Sequence, residues 1–208
     1  MLEIHTQPIV NVFTGQKVLE ECLSRPGCSI REYFPTNDPR TLNRRELHAI
    51  MQAIEDMEEN TLYNINVTLR TLPLVARDPF MIWRGGVEIV EWGKSISPYF
   101  KQTKRVIQDL QSRGLSVWAD DVIPDYLSMW QRAGVDGYKV ELLEIQNNPD
   151  FLKALRETKK PIVVERVETE AEHLWVLEHG IILAQGYYYG RPERLVDNIQ
   201  RLSVADGG

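Results

Sequence analysis

From about residue 60 onward, short apolar runs alternate with stretches whose apolar residues recur at helical spacing. The runs LYNINV (62–67), VEIVE (87–91), SVWAD (116–120), GYKVE (137–141), PIVVE (161–165) and IILAQ (181–185) are rich in β-branched residues. Each is bounded by turn residues or charges, which predicts buried strands. Between them, Leu47, Ile50, Met51, Ile54 and Met57 share one face of a predicted helix, with Asn43 as its cap and Glu46 three residues on. Phe100, Val106, Ile107 and Leu110 mark a second helix, which Gly114 can end. Asn148-Pro149 opens a third, and Thr169 with Glu172 forms a capping-box pattern for a fourth that ends near Gly180. Pro192 is expected to open a last helix, with Leu195, Ile199 and Leu202 facing inward.

Strands alternating with helices predict βαβ units and a parallel sheet. Adding strands at 4–12 and 18–24 brings the number to eight, which predicts a closed (β/α)₈ TIM-type barrel, one domain over residues 1–203 with a frayed tail at 204–208. The barrel would be compact, because the fold typically takes ~250 residues. An open doubly wound sheet is the alternative, although no glycine-rich phosphate loop follows any strand.

Composition narrows the function classes. The 208 residues are 43% hydrophobic and 26% charged, enough to bury a sizeable core. A formal net charge of −6 without any basic run argues against DNA, whose binding depends on clustered cations. A small anionic ligand stays open, since a bound metal can invert the local sign. The opening MLEIHTQPIV lacks the basic stretch and apolar segment of a secretory leader, and no apolar run approaches the ~20 residues of a membrane span. Two cysteines, Cys22 and Cys28, are too few for a disulfide framework. A cytoplasmic location without membrane insertion is expected.

Each strand run carries a polar side chain at or near its C-terminal end: Glu21, Asn66, Glu88, Asp120, Lys139, Glu165 and Gln185. In a parallel barrel those ends meet on one face, where barrel enzymes hold their chemistry. Strand ends also turn polar merely on reaching solvent. That reading weakens for Glu88 and Asp120, which adjoin apolar residues inside their runs, because an unpaired buried charge costs several kcal/mol. Converging carboxylates and amides call for a cation between them, and hard oxygen donors select Mg²⁺, Mn²⁺ or Ca²⁺.

At these residues the sequence resembles the EAL-domain family of cyclic di-GMP phosphodiesterases. QPIVNVFTGQKVLEECLSRP is similar to the family's opening, with the E-A-L-x-R signature reading Glu21-Cys22-Leu23-Ser24-Arg25. NINVT (64–68), VEIVE (87–91), WADDV (118–122), YKVE (138–141), VVERVETE (163–170) and AQGYYYGRPE (184–193) stand where the family has N-x-S, E-x-T-E, D-D-F, K-I-D, A-E-G-V-E-T and A-Q-G-Y-x-x-x-x-P.

The resemblance implies a role for each position. Glu21, Asn66, Glu88 and Asp120 would hold one divalent ion. Asp120 and Asp121 would contact a second, and Glu165 and Gln185 would complete the set. Lys139 would orient or help deprotonate the attacking water, with Glu21, Asp121 and Glu165 also in the catalytic group. Arg25 would grip a phosphate, with Gln7, Gln185 and Glu168 also at the ligand and Glu91 as outer support. Two Mg²⁺ or Mn²⁺ ions, with Ca²⁺ as an inhibitory occupant, would then serve hydrolysis of cyclic di-GMP to linear pGpG.

The same comparison exposes departures. After the paired aspartates the family has a glycine- and serine-rich loop, whereas here the chain reads Val122-Ile123-Pro124-Asp125-Tyr126-Leu127-Ser128-Met129. Arg166 replaces a glycine beside Glu165, and the stretch after Arg25 is short. Cys22 stands in for the signature alanine and is expected to pack as a small hydrophobe, as Trp92, Trp118, Trp130 and Trp175 are expected to pack in core or helix contacts. Tyr187, Tyr188 and Tyr189 are expected near the ligand face. Three functions therefore stay open: the phosphodiesterase, a non-catalytic cyclic di-GMP receptor, and a protein-interaction module. A homodimer or a signalling partner is compatible with each.

Overall fold

The computed structural model describes residues 2–90 and 100–195, so Glu91, Trp92 and the expected helical positions Ile199 and Leu202 lie outside the described residues, as does the 204–208 tail. In chain order the elements are β1 (Leu2–Asn11), β2 (Lys17–Pro26), α1 (Ile30–Tyr33), α2 (Pro39–Asp56), β3 (Tyr63–Val67), α3 (Leu72–Arg77), β4 (Gly85–Ile89), α4 (Phe100–Ser112) and β5 (Ser116–Ala119). There follow α5 (Pro124–Ala133), β6 (Gly137–Glu141), α6 (Leu142–Asn147), α7 (Pro149–Glu157), β7 (Ile162–Glu165), α8 (Glu170–Glu178), β8 (Leu183–Gln185) and a two-residue β9 (Glu193–Arg194). Strands β2 to β8 pair in sequence order, and β1 joins β8 back to β2, which closes an eight-stranded barrel with helices between strands.

The barrel departs from the all-parallel expectation at one strand. β1 runs antiparallel to both β2 and β8, whereas β2 through β8 are mutually parallel. The reason is local: only the five residues 12–16 separate β1 from β2, a tight connection that returns the chain as a hairpin, and parallel pairing would need a crossover of a dozen residues or more.

Along each strand one set of side chains enters the barrel and the alternate set meets the helices. Val87, Ile89, Val117, Ala119, Tyr138, Val140, Val164 and Ala184 face outward and are all fully buried under the helical layer. Inside, Ile9, Leu19, Trp118 and Val163 form a separate apolar plug, with Leu183 against it. Gly137 makes room for that plug, because a Cβ there would collide with the Trp118 ring. Gly85 is needed for another reason: its φ is +134°, and a Cβ would strike the Tyr63 backbone of the adjacent strand.

Helix boundaries sharpen the sequence expectations. α2 starts earlier than Asn43: Asp38 caps it, accepting from the Thr41 N–H at 3.2 Å, and Pro39 occupies its first turn. Its buried residues are Leu42, Glu46, Ala49, Ile50 and Ala53, with Leu47, Ile54 and Met57 packed against the core as expected, while Met51 is 53% exposed. Glu46 is thus a buried acceptor for the Thr68 hydroxyl at 2.8 Å and for Thr71, not the outward half of a capping box. Asn148 caps α7 and the Thr169–Glu172 capping box opens α8, both as expected. Gly114 and Gly180 follow α4 and α8 with φ of +85° and +63°. After Pro192 the chain first pairs as β9 with β1, His5 opposite Arg194, and the expected helix opens only at Leu195, which is buried as expected.

Candidate active site

Seven polar side chains from seven strand ends converge at the C-terminal mouth of the barrel, directly above the apolar plug. Lys139 lies at their centre and is 1% exposed. Its Nζ donates to Glu88 Oε2 at 2.7 Å and Glu21 Oε2 at 3.0 Å. The same ammonium stands 2.9 Å from Glu165 Oε1 and 3.6 Å from Asp120 Oδ1. Glu21 also accepts from Asn66 Nδ2 at 2.6 Å and from Gln185 Nε2 at 2.8 Å. Glu21, Asn66, Glu88, Asp120, Lys139, Glu165 and Gln185 are therefore one connected cluster.

Asn64 belongs to it too, donating to Glu88 Oε1 at 2.9 Å, although the sequence reading passed it over. The signal was present: in N-I-N the period of two puts Asn64 and Asn66 on one face of β3. Gln7 closes the cluster from β1, its Oε1 accepting from Gln185 at 3.4 Å while its own amide donates to the Gly190 carbonyl at 3.0 Å.

The paired aspartates depend on a backbone feature. Asp120 faces inward at the end of β5, and Asp121 takes a left-handed φ of +47°. The chain then rejoins the barrel through Val122 N–H, which donates to the Lys139 carbonyl at 3.0 Å. This bulge turns the second carboxylate back toward the mouth. Ligand oxygens of Asp120, Asp121 and Glu165 consequently lie within 4.8 Å of one another.

Charge is badly balanced in this space. Four buried or half-buried carboxylates surround one ammonium, with Asp121 at the rim. Glu21 loses solvation by burial, but the Lys139 charge and the donors Asn66, Lys139 and Gln185 outweigh that loss, so its carboxyl lies below the usual range. The others cannot share the ammonium equally. Burial, with Glu21 and Asp120 as neighbours, raises Glu88 well above the carboxylate range. Burial likewise raises Asp120 to about 6 and Glu165 to about 8. Burial alone would lower the Lys139 ammonium, yet Glu165, Glu21, Glu88 and Asp120 together hold it well above its ordinary value.

Four oxygens in this cluster, Asn64 Oδ1, Asn66 Oδ1, Gln185 Oε1 and Asp120 Oδ1, are buried with no hydrogen-bond partner. Orphaned buried acceptors are rare, because each costs the solvation it gave up. An excess of carboxylates and unpaired carbonyl-type oxygens is the donor set of a hard divalent cation. The residues present fit such a group.

Other expected residues sit elsewhere. Arg25 is exposed, donates to the Ser24 carbonyl at 3.3 Å, and lines a cavity of about 580 Å³ between α2 and the outer wall of β1–β3; Asn66 borders the same cavity. Glu168 lies on the exposed turn into α8, its N–H donating to Glu172 at 2.7 Å, and takes no part in the metal-type group. Arg166 does not point at the carboxylate cluster: its guanidinium pairs with Glu141 at 2.9 Å and is 72% exposed. The segment after the aspartates is shortened to Val122 and Ile123, because Pro124 begins α5 directly. Cys22 is buried in the outer core, its thiol pushed up by burial, and Trp118, Trp130 and Trp175 pack as expected. Tyr188 stacks on His173 with centroids 4.8 Å apart, and His173 shares a 2.9 Å hydrogen bond with the Tyr189 hydroxyl. Arg191 lies over the Tyr187 ring at 4.3 Å.

No protein-family model matches the chain, and no curated protein matches it in sequence. Solved structures do match. The Bacillus subtilis YkuI protein, which has an EAL domain and was solved with cyclic di-GMP and calcium, shares 15% identity at a TM-score of 0.77 over 99% of this chain and 61% of its own. The PaMucR phosphodiesterase, in complex with cyclic di-GMP, shares 18% identity at a TM-score of 0.71, over 93% of this chain and 92% of that one. Klebsiella pneumoniae BlrP1, solved with manganese and cyclic di-GMP, shares 21% identity at a TM-score of 0.73, over 92% of this chain and 56% of its own. Motifs in order along the sequence, their side chains meeting at one mouth, and these superpositions converge: the chain has the (β/α)₈ barrel fold of the EAL-domain proteins.

Proposed function

We propose that the barrel mouth binds cyclic di-GMP and hydrolyses one of its phosphodiester bonds, giving linear pGpG. The observation that carries this reading is the convergence of Glu21, Asn66, Glu88, Asp120, Asp121, Glu165 and Gln185, with three of their oxygens lacking any donor. Similarity to proteins solved with cyclic di-GMP and with manganese or calcium supports the choice of ligand and of ion class.

Glu21, Asn66, Glu88 and Asp120 would hold one Mg²⁺ or Mn²⁺, and Asp120, Asp121 and Glu165 a second. When bound, such a pair polarises the phosphoryl oxygens and acidifies the attacking water. The remaining work falls to the chain. Lys139, kept as an ammonium by the carboxylates around it, donates hydrogen bonds and fixes the orientation of Glu21 and Glu88. That charge state suits it to orienting the water rather than taking its proton. Gln185 and Gln7 hold Glu21 from the β1–β8 side. Arg25, exposed beside the cavity that Asn66 also borders, has the planar fork that fits phosphate oxygens. The apolar plug beneath closes the barrel floor, so ligand and water enter from the mouth alone.

The test is incubation with cyclic di-GMP and Mg²⁺ or Mn²⁺, followed by chromatography of the products. Release of pGpG is expected, and its absence with both ions refutes hydrolysis. A second reading, a receptor that binds without turnover, is favoured by one observation: α5 begins at Pro124, leaving only Val122 and Ile123 between Asp121 and the helix. Calorimetric binding without product would select it. Absence of any saturable nucleotide binding would leave a protein-interaction role.

A further inference from the structure

The backbone uses one device twice at this mouth. Asp121 follows Asp120 with φ +47°, and Arg166 follows Glu165 with φ +60°. In both places the next residue rejoins the barrel, Val122 N–H donating to the Lys139 carbonyl and Val167 N–H to the Gln185 carbonyl, at 3.0 and 3.1 Å. Each bulge leaves an inward strand-end carboxylate followed by a second side chain aimed at the rim. At β5 that second side chain is a carboxylate. At β7 it is a guanidinium.

The conformation at residue 166 suits glycine, and a branched or long side chain there is strained by Cβ contacts. Arginine at this position is therefore a costly choice for shaping the turn alone. What it adds is one cation beside Glu165, held by a single 2.9 Å contact to Glu141 and 72% open to solvent. Glu141 is the register partner of Glu165 across β6–β7, so the guanidinium parks one strand from the acidic group. Such an exposed pair is weak and easily exchanged.

We propose that Arg166 is a phosphate-binding residue, held on Glu141 in the free protein and transferred to a phosphodiester oxygen of the ligand when that ligand occupies the mouth. This rests on the functional reading above, which supplies a ligand with two phosphodiester groups. Arg25 on β2 and Arg166 after β7 then approach the ligand from different strands, each with a fork suited to phosphate.

Calorimetry of cyclic di-GMP in Ca²⁺, with the wild type, Arg166→Gly, Arg166→Lys and Glu141→Gln, tests this. Arg166→Gly should raise the melting temperature by relieving the left-handed arginine, yet weaken binding about 10- to 100-fold. Arg166→Lys should fall between, keeping the charge but losing the fork. Glu141→Gln should bind roughly two- to fivefold tighter, because the guanidinium no longer leaves an ionic partner. A turn-stabilising clamp predicts the opposite for Glu141→Gln: it and Arg166→Gly would weaken binding alike. That result, a Glu141→Gln affinity no better than wild type, or an Arg166→Gly affinity equal to wild type overturns the assignment. If the wild type itself fails to bind, the functional reading falls and takes this one with it.

Discussion

The barrel interior has two halves built from the same strands. In the lower half Ile9, Leu19, Trp118 and Val163 interlock, with Gly137 recessed to admit the indole. In the upper half the next inward residues along the same strands, Gln7, Glu21, Asp120 and Glu165, are polar. A step of two residues thus takes the interior from a plug that needs nothing further to a cluster with more carboxylates than its one lysine can neutralise. Gln7 and Glu21 are buried like the plug, and Asp120 and Glu165 keep only 15% and 16% of their side-chain surface exposed, so solvent contact alone does not explain the difference. The upper half, with its excess carboxylates and unpaired oxygens, has the donor set that a cation would complete.

The contrast can be broken most sharply through chemistry. Glu21→Ala should lower Mn²⁺-dependent release of pGpG by roughly three orders of magnitude, about 4 kcal/mol of transition-state stabilisation, followed as product per enzyme over time. A loss under tenfold would put the reaction elsewhere. Lys139→Met should cost the metal-free protein about 3–5 kcal/mol in urea unfolding, because it strands four carboxylates around an apolar group. Added Mn²⁺ should restore much of that. Leu19→Ala, one turn of the interior below, should cost about 2–5 kcal/mol as a cavity and its lost transfer energy, and Mn²⁺ should not rescue it. Equal rescue of both variants would erase the distinction between the halves.

The smallest effect is the pH dependence. Asp120, raised to about 6, and Glu165, raised to about 8, hold protons in the metal-free fold that the unfolded chain has already released. Their contribution to stability is present below the ordinary carboxylate range and is lost as pH rises through 6 and then 8. Glu21, held low, acts in the opposite sense, but only as pH falls beneath that range. A bound cation must displace the protons, so Mn²⁺ affinity should rise about tenfold per pH unit where one proton is released. Melting with and without Mn²⁺ across pH 5.5–8.5 reads this as a stabilisation that grows toward alkaline pH; a constant increment would contradict it.

How much of this was legible beforehand follows from the range of the interactions. The period of two in VEI, GYKVE and IVVE fixed which residues enter the barrel, because a strand offers only two faces. The motifs at the strand ends therefore named Glu21, Asn66, Glu88, Asp120, Lys139, Glu165 and Gln185 without reference to any contact. Caps at Asn148 and Thr169 were equally readable, since a cap acts on amides three residues away. On α2 the expected inward residues Leu47, Ile50, Ile54 and Met57 do pack on the core, whereas Met51 is exposed and Ala53 buried, a difference set only by where the helix lies on the sheet.

Three properties belonged to the tertiary structure. Direction of β1 was set by the short connection to β2 and by closure onto β8. Lys139 at the centre of four carboxylates joins positions 118 and 51 residues apart in the chain, Glu21 and Glu88 among them, and only the closed barrel brings these together. Arg166 looked like a cation next to the site, yet its left-handed backbone sends it to Glu141 instead. Sequence by itself determined which chemical groups this chain holds and on which face of each strand. Their mutual distances, and hence their charge states and their fitness for a cation, were decided when the sheet closed on itself, because electrostatic coupling depends on separation in space and not along the chain.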